Sequence, residues 1–280
     1  MSVMDLPKVS IITICKDSEK YIRQTIESVL NQTYPNIEYI IIDGQSKDDT
    51  LKIIDEFVPL FEGRLICLSE KDEGIYDAMN KGVKRATGEI VGIINSDDWY
   101  EKDAVESVVD AYLSDKKVAW FHGNLNWIDV EREQITLSKP LKELGQYSFY
   151  YWMPVFHPTV FIKKEAYEKV GLFDTQYRSA ADYDLILRLM KSDLPSKYID
   201  KVIANFREGG FSKNYRRTFK ESTLIKISHG CNPAYAWWRY YEVTTKISVL
   251  NKIKKYNLLM ALYKYYQKLR KNNSEHLRND

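Results

Sequence analysis

The run Ile90-Val91-Gly92-Ile93-Ile94-Asn95-Ser96-Asp97-Asp98-Trp99 reads as a buried strand that ends on two adjacent carboxylates. Side by side, two acids raise each other's pKa, and burial at a strand end adds to the cost. A divalent cation removes both penalties. Mg²⁺ or Mn²⁺ favours a few carboxylate oxygens together with oxygens from a substrate phosphate. A second reading is a strand that meets a helix N-terminus, where the dipole favours acids with no metal at all. The run by itself leaves both open.

Upstream of it, strand and helix signals alternate, which predicts an α/β fold with a largely parallel sheet. Val9 to Ile14 and Ile37 to Ile42 are β-rich runs, and Arg64 to Leu68 is a third. Between the first two, Ser18 to Gln32 carries Ile22, Ile26, Val29 and Leu30 on one helical face. Ser46 with Asp49 resembles a capping box for a helix bearing Leu51, Ile54 and Phe57. Ile75 to Ala86 reads as a short helix. Downstream, Val105, Val108, Val109 and Tyr112 mark another helix, and 118–121 and 159–162 look like strands. The stretch from Asp129 to Tyr151 predicts an irregular or partly helical excursion. Lys164 to Val170 is a helix stopped by Gly171, Asp182 to Met190 a short amphipathic helix, and Tyr198 to Phe206 a last strand.

The 280 residues are 44% hydrophobic and 29% charged, the balance of a globular protein. A net charge of +2 conceals an asymmetry. Residues 213–280 hold fifteen Lys and Arg against four Asp and Glu, leaving twenty-six against thirty-five in residues 1–212. We therefore expect an acidic catalytic domain over 1–212 and a basic, aromatic-rich helical extension over 213–280 that meets something anionic. Cys15, Cys67 and Cys231 have neither zinc nor redox spacing. No signal peptide and no apolar run of about 20 residues is visible, so a cytoplasmic setting is expected.

Ligands of an open α/β sheet bind beyond the carboxyl ends of its strands. Lys16-Asp17, Asp43, Glu70 to Glu73 and Asp97-Asp98 stand at those ends. One such Asp is commonly a helix cap, but four acidic clusters at four consecutive strand ends point to a nucleotide-and-metal site.

These residues also carry a resemblance. Val9 to Thr13, Ser28 to Tyr34, Ile41 to Thr50, Asp72 to Gly82 and Gly88 to Asp98 follow in order. His157-Pro158, Gly171 to Asp174 and Ala181 to Leu189 continue the series. Together they resemble the family 2 glycosyltransferases, inverting enzymes with a GT-A fold. The resemblance covers residues 7 to 212 and does not specify the sugar. It implies that Asp43 hydrogen-bonds the nucleobase, with Thr13 and Asp72 lining the same pocket and Lys81 among the donor-binding positions. It implies that Asp98 holds a Mn²⁺ or Mg²⁺ ion bridging the donor diphosphate, while Asp97 faces the ribose or donor sugar. Asp182 falls at the general base, and Arg188 is an internal ion-pair partner. There are departures: Lys16-Asp17 replaces the family's aromatic and Asn, Asn95 stands where Asp is frequent, and Ala181 where Glu is common.

The chemistry implied is transfer of one sugar from a nucleotide-sugar donor, UDP-linked before others, to a hydroxyl of a glycan or polyprenyl-diphosphate-linked acceptor. The product would be a cell-surface polysaccharide such as an O-antigen or capsule. One carboxylate takes the acceptor proton, and in-line attack inverts the anomeric carbon. His157 is either a structural residue at a strand start or a donor-phosphate or acceptor contact. Arg207 to Ser212 is either a lid or a plain loop. The aromatic and basic residues of the tail suit an anionic membrane surface on the inner face of the plasma membrane; the alternative is a helical cap on the body. A nucleic-acid role is disfavoured by the acidic body. A nucleotidyltransferase is the nearest enzymatic rival, but Ile14 to Ser18 contains no glycine for a phosphate loop. A non-catalytic nucleotide-binding scaffold is the rival from another class.

Overall fold

The structure, a computed structural model, describes residues 6–129, 133–141, 153–208 and 215–276. The chain runs β1 (Val9–Cys15), α1 (Ile22–Leu30), β2 (Ile37–Asp43), α2 (Thr50–Phe57), β3 (Leu65–Ser69), α3 (Ile75–Arg85), β4 (Ile90–Asn95), β5 (Trp99–Tyr100) and α4 (Ala104–Ser114). It continues through β6 (Trp120–Asp129), β7 (Gln134–Ser138), β8 (Phe161–Lys163), α5 (Lys164–Val170), α6 (Ala181–Lys191), β9 (Ser196–Arg207), α7 (Tyr215–Ser228) and α8 (Pro233–His276). Among the described residues these strands form one sheet in the order β3-β2-β1-β4-β8-β6-β9-β5, with β7 paired to β6. The first four strands are mutually parallel. β8 then enters antiparallel between β4 and β6, and β6 and β9 are again parallel.

Residue parity explains the layers. Odd-numbered Val9, Ile11, Ile37, Tyr39 and Ile41 share a core with Ile22, Ile26 and Val29 of α1 and Val105 and Val108 of α4. Even-numbered Ile12, Ile14, Ile40 and Ile42 share the other core with Met79 and Val83 of α3 and Leu185, Ile186 and Leu189 of α6. Strands apolar on both faces are those of a parallel sheet covered on both sides. Glycine sets the closest approaches: a Cβ on Gly82 of α3 would stand 2.5 Å from Ile12, and one on Gly92 2.4 Å from the Phe161 ring. Gly171 ends α5 with φ +83°, as its position in the sequence predicts.

Two local expectations are corrected. The capping box does not form, because Ser46 bonds Asp43 instead. Asp48 supplies the oxygen, accepting from the Thr50 N–H at 3.1 Å and its hydroxyl at 2.5 Å. The excursion after Asp129 contains β7, which pairs with β6 from Leu125–Ser138 to Asp129–Gln134. Gln134-Ile135-Thr136-Leu137-Ser138 does alternate polar and apolar residues, but Ile135 and Leu137 remain 66% and 52% exposed, so no core marks the strand.

The chain divides into compact units at 1–225 and 226–280. The start of α7 belongs to the first unit for two physical reasons. Glu221 accepts from the backbone N–H groups of Arg178 and Ser179 at 3.0 and 2.7 Å, and Ile225 is fully buried with Ala180, Tyr183 and Leu187. In the second unit, α8 carries Glu242 between Arg239 and Lys246, while Trp238, Tyr241, Leu250, Ile253, Tyr256 and Leu259 are exposed. Among the described residues no helix is long and apolar enough to cross a membrane.

Candidate active site

Strand register places the strand-end acids on one edge. Cys15 lies opposite Asp43, and Ile14 opposite Asn95, so the segments after β1, β2 and β4 leave the sheet side by side. Cross-loop bonds fasten them. The Asp17 N–H donates to Ser46 Oγ at 2.8 Å, the Lys47 N–H to Asp17 Oδ1 at 2.8 Å, and the Ser18 and Ser96 hydroxyls meet at 2.9 Å. Asp17 and Gln45 in these loops both adopt left-handed backbone, φ 48° and 59°. Non-glycine residues hold that conformation only where their surroundings enforce it, as at binding sites.

Asp43 has no exposed surface. Its carboxylate accepts from Ser46 Oγ, from the Ser46 N–H at 3.0 Å and from Ser69 Oγ at 2.6 Å. Asp72 is partly exposed and accepts from the Gly74 N–H at 3.1 Å. Its Oδ2 lies 2.4 Å from where a Cβ on Gly44 would stand, with Lys16 on the same spot. Gly44 thus lets the Asp72 carboxylate settle beside Asp43. Of the two acids, Asp72 is the one open to a ligand.

The adjacent carboxylates at the end of β4 divide sharply. Asp98 is fully buried; its Oδ1 accepts from the Arg207 N–H at 3.0 Å, and its Oδ2 is buried with no donor. Burial, then the Asp97 charge, push the Asp98 carboxyl well above the usual range. Asp97 is only partly buried; burial raises it too, against the Arg207 charge. Asp98 thus anchors the end of β9, and Asp97 is the more exposed of the pair. In the sequence Arg207 was only the first residue of the segment read as a lid or a loop. Its Nε donates to the Asp97 carbonyl at 3.1 Å and its Nη2 to Gln24 at 2.6 Å, with its guanidinium 4.2 Å from the Tyr21 ring and 5.0 Å from Trp99. From α1, Thr25 Oγ1 holds the Asp98 and Ser96 carbonyls at 2.6 and 3.0 Å. Residues 209–214, which include most of the glycine-rich segment read as a lid or a loop, lie outside the described residues.

Asp182 sits in the first turn of α6, partly buried, and its Oδ1 accepts from Tyr76 Oη at 2.9 Å. Burial lowers His157 below its ordinary value, and the Asp182 charge opposes the shift, which places the two within electrostatic reach. Phe173 lies between these groups. It stacks on Tyr76 with centroids 5.6 Å apart and takes the His157 ring edge-on at 6.0 Å. The Asn80 side chain clamps the Phe173 backbone, donating to its carbonyl at 2.8 Å and accepting its N–H at 2.9 Å. The sequence signal for this clamp was the Tyr76 and Asn80 spacing of four, which puts both on one face of α3.

Two expected site residues are placed elsewhere. Thr13 is fully buried and accepts from Tyr39 Oη at 2.9 Å inside the α1 core, so its side chain does not line the pocket. Lys81 Nζ lies 3.3 Å from Asp77 and 3.5 Å from Glu70 and donates to the Lys71 carbonyl at 2.6 Å. Burial would lower Lys81, yet Asp77 and Glu70 hold it above its ordinary value. It therefore braces the 70–74 loop that carries Asp72. Arg188 behaves as read: it pairs with Asp184 at 2.8 Å and donates to the carbonyls of Val170, Gly171 and Leu172.

Among the described residues no three His, Cys, Asp or Glu side chains converge on one point. The donor set still fits a divalent ion shared with a ligand. Asp97 offers one outward carboxylate, desolvated and only partly compensated by Arg207, and Mg²⁺-type ions complete such a shell with phosphate oxygens and water. Three carboxylates, Asp72, Asp97 and Asp182, thus keep some exposed surface.

Comparison with known proteins agrees with this arrangement. Residues 10–171 match the profile described as Glycosyl transferase family 2. The chain is 32% identical over 214 residues to the chondroitin synthase of Escherichia coli, covering 71% of this chain and 29% of that protein. It is 29% identical over 235 residues to a PGL/p-HBAD biosynthesis glycosyltransferase of Mycobacterium bovis, covering 80% of this chain and 88% of that one. Among solved structures, S. aureus TarS 1-349 in complex with UDP-GlcNAc superposes with a TM-score of 0.64 at 18% identity, over 84% of this chain and 71% of that one. The mannosyltransferase PcManGT from Pyrobaculum calidifontis, in complex with GDP-Man and Mn²⁺, gives 0.60 at 19% identity, over 80% and 64%. The superpositions establish the GT-A fold. With more than half its length matching the family profile and the acids gathered on one sheet edge, the chain belongs to glycosyl transferase family 2.

Proposed function

We propose that this chain transfers one sugar from a nucleotide-sugar donor, a UDP-sugar before others, to a hydroxyl of a glycan or lipid-linked acceptor, with inversion at the anomeric carbon. The observation that carries the reading is the Asp182 carboxylate at the start of α6, one oxygen held by Tyr76 and the other without a bond from that phenol. An acceptor hydroxyl is a poor nucleophile until a positioned carboxylate takes its proton. Asp182 opens α6, while Asp72 and Asp97 follow β3 and β4, where a nucleoside and a diphosphate would lie. Asp97 would hold Mn²⁺ or Mg²⁺, which when bound neutralises the charge growing on the departing diphosphate. Arg207, fixed to the Asp97 carbonyl, keeps that loop in place. UDP is favoured because the neighbour of TM-score 0.64 is a complex with UDP-GlcNAc.

The acceptor class we propose is a lipid-linked glycan of a cell-surface polysaccharide, met at the cytoplasmic face of an anionic membrane. Support comes from the basic extension over 213–280. From Val243 to Ser274 it carries eight Lys and Arg and no acidic residue, with Trp238, Ile253, Tyr256 and Leu259 exposed. Aromatic and aliphatic groups among lysines suit the headgroup region of anionic bilayers.

The test is nucleoside diphosphate release from a panel of UDP-, GDP- and dTDP-sugars with Mn²⁺. Asp97→Asn is expected to raise the Mn²⁺ requirement and weaken donor binding, while Asp182→Asn binds donor normally and turns over at least 100-fold more slowly. Full turnover by Asp182→Asn would remove the base and favour a nucleotide-binding role without catalysis.

A further inference from the structure

A carboxylate in the first turn of a helix rotates freely unless something fixes it, and a general base must bring one oxygen within about 2.6–3.2 Å of the proton it takes. Asp182 is fixed from a distant part of the chain. Tyr76 Oη donates to Oδ1 at 2.9 Å. The phenol is buried, and burial followed by the Asp182 charge pushes it well above its ordinary value, so it remains a donor through the neutral range.

The phenol itself has little freedom. Its ring stacks on Phe173 at 5.6 Å with 23° between planes, and the Phe173 backbone is bound on both sides by Asn80, one turn further along the same helix as Tyr76. The His157 ring also meets Phe173, at 6.0 Å. α3, which carries Tyr76 and Asn80, begins immediately after the loop holding Asp72, at Gly74 with φ +133°. The helix that leads away from the donor side therefore carries the group that orients the acceptor side.

We infer that Tyr76 is the positioning residue of the base: it holds Asp182 through Oδ1 and leaves Oδ2 to take the acceptor proton. This rests on the transferase reading of Asp182. Removing a hydrogen bond to a charged group lowers a rate that depends on it by about tenfold to a hundredfold.

Tyr76→Phe tests it, because Phe keeps the stack on Phe173 and loses only the hydroxyl. Nucleoside diphosphate release from the UDP-, GDP- and dTDP-sugar panel is measured for wild type, Tyr76→Phe, Asp182→Asn and the double variant. Tyr76→Phe is expected to lower kcat about tenfold or more with donor KM within twofold of wild type, and to add nothing once Asp182 is Asn. A kcat within twofold of wild type, alongside an inactive Asp182→Asn, overturns the inference and leaves the base standing. Full activity of Asp182→Asn overturns the base itself. A thermal-unfolding cycle on the same variants reads the bond without turnover. Non-additive Tm changes are expected, and additive ones overturn the contact.

Discussion

His122 offers a stability prediction whose size follows from its surroundings. It lies on β6, 1% exposed, between the rings of Trp120 at 5.5 Å and Tyr198 at 5.6 Å, and its Nδ1 has no partner. Burial depresses it from 6.5 to about 4. Unfolded, the imidazole gains a proton as pH falls through 6.5; folded, it does so only near 4. The unfolded state binds more protons across that window, so stability is fully present above 6.5 and is lost as pH falls toward 4. A shift of 2.5 units at 1.36 kcal/mol each makes the whole loss about 3 kcal/mol, of which about 2 kcal/mol is gone by pH 5. His122→Phe keeps a ring in the slot and cannot titrate. Urea unfolding of both proteins at pH 7.5 and pH 5 isolates the effect, since every other group titrates in both. The wild type is expected to lose about 2 kcal/mol more than His122→Phe. Equal losses would refute a neutral, buried His122.

Three further outcomes follow. Glu38→Ala is expected to destabilise by about 3 kcal/mol in urea, because Ser10 Oγ and the Thr87 and Gly88 N–H groups lose their acceptor. Burial pulls Glu38 up, but those donors carry it below its ordinary value, so its contribution is present above pH 4.5 and the gap to the variant narrows as pH falls through the folded value. Gly44→Ala displaces Asp72 Oδ2 and should weaken nucleotide affinity several-fold by calorimetry, with Tm nearly unchanged because only a side-chain end must move. Asp98→Asn should leave Mn²⁺-dependent nucleotide binding within about threefold of wild type by the same method, whereas Asp97→Asn loses it.

Much of this was legible because parallel strands force chemistry to their carboxyl ends. Asp43, Asp72 and Asp97 were placed by the alternation of strand and helix, and Asp182 by a helix start. What stayed hidden depended on partners remote in sequence. Nothing local says that Asp98 turns inward to the Arg207 N–H, 109 residues away, while Asp97 turns outward. The resemblance implied that Thr13 lines the pocket, but odd residues of β1 face the α1 core, where its hydroxyl accepts from Tyr39 Oη. Lys81 was expected among the donor-binding positions, and only the folded 70–77 segment shows the carboxylates that hold it. The Asn80 clamp on Phe173 spans 93 residues and had only a helical spacing to suggest it.

The most direct test is the melting temperature in UDP, GDP, CDP and dTDP, each with and without Mn²⁺. At about 100 times Kd a bound nucleotide stabilises by about 2.7 kcal/mol, which for a unit of this size raises Tm by roughly 5–10 °C. The account predicts such a rise with one nucleotide, UDP first, that requires Mn²⁺ and disappears in Asp97→Asn. No rise with any nucleotide, or a rise indifferent to Mn²⁺ and to Asp97, would contradict it.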